Sequence, residues 1–361
     1  MEEQKLYECL GQALEVPDVV NQKLEQTYDK LTRRKGLEKP HGRPAVRTAL
    51  IAAAAIAVLC VTATAAYYLV RQNVEVDMPQ TVQGLVGQGQ PSWERMEVYD
   101  EAGHLIYWPR RDMAQVDEGQ AQALLGDCLP GSGYRWQIED YSFTVEGYVL
   151  DEHTGTAKIY YVVERPGGFG ADAVDWERGF LNYAVYKLDI TFSALSDVET
   201  DWFGSHTFVD VSRSTEEKLC LVESAARDGG WRAEDGLHID FTVRGEDGEA
   251  LLTAGLELPG LKSLPAQSVS DPASGAPVLE LSAIGLALKC TDIDQVDNIT
   301  LDFADGSRYV VQDSASGLDN RDYALGTGES PDMVLQVVFN RLVDPSQVTA
   351  VTVDGQRYAV S

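Results

Sequence analysis

The sequence predicts a mainly β protein carried on one apolar helix. Short runs of alternating or wholly apolar residues recur from Trp93 onward, separated by Asp-Gly and other Gly-containing turns. A single run of 23 residues, Thr48 to Val70, carries no charge, Pro or Gly. Lys and Arg crowd on the N-terminal side of that run and are sparse after it. The length of 361 residues suits two to three domains. A hydrophobic content of 44%, with 9% aromatic residues, excludes general disorder. With 57 acidic against 29 basic side chains, a net charge of −28 argues against nucleic acid as a partner, because phosphate binding needs clustered cations.

Residues 1–47 form a short helical segment. Leu6, Leu10 and Leu14 recur at helical spacing, as do Val20, Leu24 and Leu31, with Pro17 between the two runs as a break and restart. Forty-seven residues bury little core alone, so these six apolar residues are expected to contact a cytoplasmic partner. Residues 48–70 are expected to span the membrane. At about 1.5 Å per residue the run covers roughly 34 Å, enough for a hydrocarbon core of about 30 Å. A cleaved signal peptide fits less well, since its apolar region is shorter and does not follow 47 polar residues. Arg33, Arg34, Lys35, Arg43 and Arg47 precede the span. By the positive-inside rule they place the N-terminus in the cytoplasm and the C-terminus outside the cell membrane. Residues 1–47 hold nine basic and eight acidic groups, so the remaining 20 basic and 49 acidic groups, net −29, fall on the outer portion.

Residues 71–92, rich in Gln, Gly and Val, read as an extended stalk with one short strand. Residues 93–260 read as a β-rich domain. It begins with a hairpin of Met96–Tyr99 and His104–Trp108, followed by a helix over 117–125 with Gly126 just past its end. Strands are expected around 141–150, 159–163, 183–193, 206–211, 217–224, 237–244 and 250–258. Residues 261–276, in a stretch rich in Pro, Ser and Gly, read as a linker. Residues 277–361 carry strands at 278–290, 299–303, 308–311, 334–339, 349–353 and 357–360. Short strands with turn signals between them, in about 85 residues, suit an immunoglobulin-like sandwich. Within it Asp305-Gly306-Ser307-Arg308-Tyr309 is echoed by Asp354-Gly355-Gln356-Arg357-Tyr358, as two similar hairpins would be.

No catalytic, cofactor-binding or metal-binding constellation emerges. The five His (His41, His104, His153, His206 and His238) are scattered without zinc-ligand spacing. No nucleophile elbow or phosphate-binding Gly loop occurs. Asp292-Ile293-Asp294-Gln295-Val296-Asp297 lacks the Gly and distal Glu of an EF-hand loop and reads as an acidic turn. Cys128, Cys220 and Cys290 allow at most one disulfide among the outer cysteines and read more simply as buried thiols. Trp93, Trp136, Trp176, Trp202 and Trp231 are widely spaced and read as core aromatics rather than a binding platform.

The inner LYECLGQALEVPDVVNQKLEQTYDKL, the basic stretch, the single span and the outer segments YSFTVEGYVLDEHTGTAKIYYVVERPGG, LSAIGLALKC, ITLDFADGSRYVV and FNRLVDPSQVTAVTVDGQRY resemble bacterial single-pass membrane proteins akin to anti-sigma factors. The resemblance implies regulation. The inner helices would hold a cytoplasmic sigma factor until a signal from an unknown ligand or protein, sensed by the outer domains, triggers its release. The flexible composition of 71–92 beside an Ala-rich helix adds the expectation of cleavage in the stalk and then within the span. The alternative expectation is an anchored adhesive or structural surface protein.

Overall fold

A computed structural model describes residues 74–76, 96–99, 105–112 and 118–360, less the breaks 130–132, 139, 171, 183–185, 187, 195–202, 229–230, 233, 235, 245–249, 271–276, 291 and 330–331. The run at 48–70, the apolar residues Leu6, Leu10, Leu14, Val20, Leu24 and Leu31, and the basic residues Arg33, Arg34, Lys35, Arg43 and Arg47 lie outside the described residues. Among the described residues no helix is long and apolar enough to cross a membrane. All described elements fall in one compact unit, Ala65–Ser361.

That unit is mainly β, and its four larger sheets stack face to face. Sheet I comprises Ala250–Leu258, Leu237–Arg244 and Leu188–Ala194. Sheet II runs Val74–Val76, Gly133–Ile138, Tyr141–Asp151, Thr156–Glu164, Lys218–Arg227, Phe203–Val209. Sheet III runs Gln267–Ser270, Pro277–Leu281, Gly285–Cys290, Met333–Phe339, Arg321–Thr327. Sheet IV runs Leu318–Asp319, Arg308–Asp313, Asn298–Phe303, Val348–Val353, Gln356–Ala359. Every strand pairing within these sheets is antiparallel.

Period-two alternation decides which core each side chain enters. In Thr156–Glu164, Ile159, Tyr161 and Val163 face the core shared with sheet I, whereas Tyr160 and Val162 face the opposite side. The strand is buried on both faces, as its unbroken apolar run IYYVV suggests. Between sheets I and II, Phe143 packs on Phe241 with ring centroids 4.1 Å apart, and Trp136 lies 5.4 Å from Phe241. Each aromatic contact of this kind is worth about 0.5–1.5 kcal/mol beyond area burial. Sheets III and IV enclose a separate aliphatic core that includes Leu286, Leu301, Val311, Val337 and Val351.

Several elements differ from their expected bounds. The helix spans Glu118–Leu125, and Gly126–Cys128 continues it as a 3-10 turn. That tighter turn carries Cys128 and Leu129 into the same apolar cluster as Ala121 and Leu125. The segment 261–276 contributes structure of its own. Leu264 is buried, Ser263 accepts from the Glu152 backbone, and Gln267–Ser270 forms an edge strand of sheet III. The expected strand at 278–290 is two strands broken at Ser282–Ile284, because the chain turns back and pairs with itself there. The two echoed hairpins both lie in sheet IV, and their arginines converge: Arg308 donates to one oxygen of Asp302 at 2.9 Å and Arg357 to the other. Hydrogen bonds from Arg357 and Arg308 hold the Asp302 carboxyl below its ordinary range.

Gly285 sets how closely sheets II and III approach. A Cβ there would lie 2.5 Å from the Val337 carbonyl oxygen and 2.8 Å from Thr156 Oγ1. Gly285→Ala is expected to cost about 1–3 kcal/mol, the usual range for overpacking. Urea unfolding of the full chain checks this, and an unchanged midpoint would mean that the two sheets separate freely.

Candidate functional site

The junction of sheets II and III is built around charge. Residues 109–112 cross onto the edge of sheet IV as a strap: the Arg110 backbone N–H donates to Gly317 O (2.6 Å), and its carbonyl accepts from Asp319 N (2.9 Å). With Arg110 engaged in that bridge, the next side chain points the other way, and Arg111 enters the junction, where it is 3% exposed. Its guanidinium donates to Arg321 O at 2.8 Å and to Asp322 Oδ1, and lies 4.6 Å from the centroid of the Phe208 ring. Asp112 is fixed from both sides, its N–H donating to Asn320 Oδ1 and its carbonyl accepting from Asn340 Nδ2, each at 2.8 Å.

Asp322 reaches this point because its strand bulges. Register shifts between Arg321 and Tyr323, leaving Asp322 outside the ladder and re-aimed at sheet II. Lys158 Nζ donates to Asp322 Oδ2 at 2.5 Å, and Ser224 Oγ donates to the same oxygen at 3.0 Å. The side chains of Lys158 and Asp322 have no solvent exposure. Burial by itself would raise the Asp322 carboxyl, but Lys158 and Arg111 outweigh it and hold the group below its ordinary value.

Beside this cluster opens a cleft of about 500 Å³, lined by Pro109, Arg111, Phe180, Leu181, His206, Thr207, Phe208, Asp319, Arg321 and Asp322. Its aromatic wall is continuous: His206 lies 4.5 Å from Phe208 and 5.7 Å from Phe180, and Phe180 lies 5.8 Å from Phe208. At the rim Arg321 grips Asp319 with two parallel bonds, Nε to Oδ1 at 2.8 Å and Nη2 to Oδ2 at 2.7 Å. Both carboxylates of the cleft are therefore held in ion pairs, an arrangement suited to binding rather than to proton transfer.

The opposite face of sheet II holds a second buried acid. Glu223 is 2% exposed and pairs across the ladder with Thr207, whose hydroxyl donates to its Oε2. Burial, only partly offset by the hydroxyls of Ser205 and Thr207, pushes this carboxyl up to about 7. The adjoining cavity of about 80 Å³ is also lined by Tyr161, Leu188 and Asp189.

None of the residues singled out from the sequence as partner-contacting lies among the described ones. Of the scattered histidines, His153 is exposed in a turn, His238 contacts Asp240 at 3.0 Å and His206 lines the cleft. Among the described residues no group of three His, Cys, Asp or Glu side chains is placed to hold a metal. Asp292 instead caps the 3-10 turn Ile293–Gln295 by accepting from Asp294 N. Cys128 and Cys220 are buried free thiols, and Cys290 is a half-buried one. Trp136 and Trp231 are core residues, whereas Trp176 is exposed.

The sequence reading missed Arg111, Lys158, Asp322 and Glu223. A signal existed for two of them: Lys158 in TAKIYYVV and Glu223 in LCLVESAA are single ionisable residues interrupting apolar strands. Comparison with protein-family models, with curated proteins and with solved structures finds no match.

Proposed function

We propose that the chain is a non-enzymatic, single-pass membrane sensor of the anti-sigma-factor kind. In this reading residues 48–70 span the cell membrane, residues 1–47 hold a cytoplasmic sigma factor through Leu6, Leu10, Leu14, Val20, Leu24 and Leu31, and the β sheets lie outside. Sheets I and II form the first sandwich, and sheets III and IV form a second, immunoglobulin-like one.

One observation supports this reading above the others. The strap 109–112, which continues the chain from the proposed span, is anchored by Arg111 in the charge cluster where sheets II and III meet. Coupling between that junction and the chain that follows the proposed span is what a sensor needs and a passive anchor does not.

The test has two parts. Alkaline phosphatase fused after residue 92 is expected to be active in cells and inactive when fused after residue 47. The full chain is expected to co-purify a sigma factor, with recovery lost in Leu10→Asp and Leu24→Asp, and Arg111→Ala is expected to switch on the output of that factor. An inverted fusion pattern overturns the topology. Correct topology with no sigma factor recovered, and no output change in Arg111→Ala, would leave an anchored surface protein instead.

A further inference from the structure

We propose that the cleft beside Arg111 binds a small aryl carboxylate, a flat apolar ring system carrying one anionic group, and that its occupancy is the signal; the second half rests on the sensing role proposed above. The volume of about 500 Å³ falls within the range of small-molecule sites, roughly 300–1,000 Å³. The second cavity, at about 80 Å³, is too small for such a molecule.

The walls select the body of the ligand. Phe180, His206 and Phe208 present one run of ring surface, flanked by Pro109 and Leu181. A planar aromatic guest can lie offset or edge-on against these rings at centroid separations of about 4.5–7 Å.

The polar groups select its charge. Asp322 already accepts from Arg111, Lys158 and Ser224. Asp319 already accepts from Nε, Nη2 and the backbone N–H of Arg321. Most of the acceptor capacity is thus committed inside the protein, while Arg321 commits Nε and Nη2 to Asp319 and keeps Nη1 outside that fork. A carboxylate entering the cleft can accept from Arg321 Nη1, the nitrogen outside the fork to Asp319, whereas an ammonium group meets carboxylates that are already paired. The outer portion carries a net charge of −29, which opposes anions at long range. Salt confines that field to a Debye length of about 8 Å, so the charges lining the cleft decide. A seated ligand also touches the Phe208–Arg111 stack and hence the strap.

The full chain in lipid nanodiscs, with empty nanodiscs as blank, is titrated with 1-naphthoate, neutral 1-naphthylmethanol and cationic 1-naphthylmethylammonium. Saturable binding of 1-naphthoate is expected, at least about ten-fold tighter than either analogue, a difference of about 1.4 kcal/mol. Arg321→Gln is expected to reduce 1-naphthoate to the affinity of the alcohol without changing the alcohol itself, and Phe180→Ala to weaken both. Thermal unfolding of each variant shows that it remains folded, and Arg321→Lys, which keeps the charge, is expected to retain part of the preference for the carboxylate. Equal or tighter binding of the alcohol or the ammonium, no saturable binding of any probe, or an affinity indifferent to Arg321→Gln overturns the ligand class. Output that responds to Arg111→Ala without 1-naphthoate binding overturns the ligand and spares the sensor. Binding of 1-naphthoate with no change in output overturns the signal and spares the ligand site.

Discussion

Asp322→Ala is expected to lower the stability of the folded chain by about 3–5 kcal/mol, the range for removing one member of a buried ion pair. The loss comes from what remains. Arg111 is 3% exposed and Lys158 is fully buried, and without the carboxylate the two cations face each other with the ion pairing of both removed. At an effective dielectric of about 20, like charges about 5 Å apart repel by roughly 3 kcal/mol, and the desolvation of each cation adds to that. Replacing all three together, as Arg111→Met, Lys158→Met and Asp322→Leu, is expected to recover most of the loss, because no charge is then left buried. Urea unfolding of the full chain reads both variants. A loss below about 1 kcal/mol for Asp322→Ala would show that water reaches the cluster and screens it like an exposed pair.

Glu223→Gln is expected to stabilise the chain at pH 8 by about 3 kcal/mol and to have little effect near pH 4.5. The Glu223 carboxyl stands at about 7 in the folded chain against an ordinary value of 4.5. Between those two values the folded state binds the proton and the unfolded state releases it. The contribution of Glu223 to stability is therefore fully present below pH 4.5, declines as pH rises, and is lost above about 7. At about 1.4 kcal/mol per pH unit, that window amounts to about 3 kcal/mol. Gln keeps an acceptor for the Thr207 hydroxyl but has no proton to lose. Asp189, which lines the adjoining cavity from the neighbouring sheet, pairs with Arg244 at 2.5 Å, and both are half exposed. The difference between wild type and Glu223→Gln isolates the site from the general titration of an acidic chain. Parallel stability–pH curves for the two proteins would place the carboxyl in its ordinary range.

Much of the β architecture is legible from residue patterns. Strands at 237–244 and 250–258 occur where the sequence pattern predicts them. Met96–Tyr99 and Leu105–Trp108 pair antiparallel, as the hairpin reading expects. The unbroken apolar run in Thr156–Glu164 already implies a strand covered on both faces. The bounds at 261–276 and 278–290 are less legible. Pro is frequent in free linkers and is also tolerated in edge strands, and composition does not reveal that Leu264 is buried in the same apolar cluster as Ala283 and Ile284.

The candidate site was legible only in fragments. Lys158 and Glu223 break apolar strands and so announce buried charge. Arg111 and Asp322 sit in polar surroundings, PRRD and NRDY, that resemble any exposed loop. Alternation within a strand says which side chains share a face and nothing about what covers that face.

The sequence by itself determined the β class, the turns, the division of charge at the predicted span and the alternation of each strand. These follow from local sterics, hydrogen bonding and solubility, which act between residues near each other in the chain. Only the tertiary structure decided that sheets II and III face each other, and that a bulge aims Asp322 at cations 164 and 211 residues away in the chain. Contacts at that separation depend on the packing of whole sheets, and the residues that make them carry no local mark of the partner they will meet.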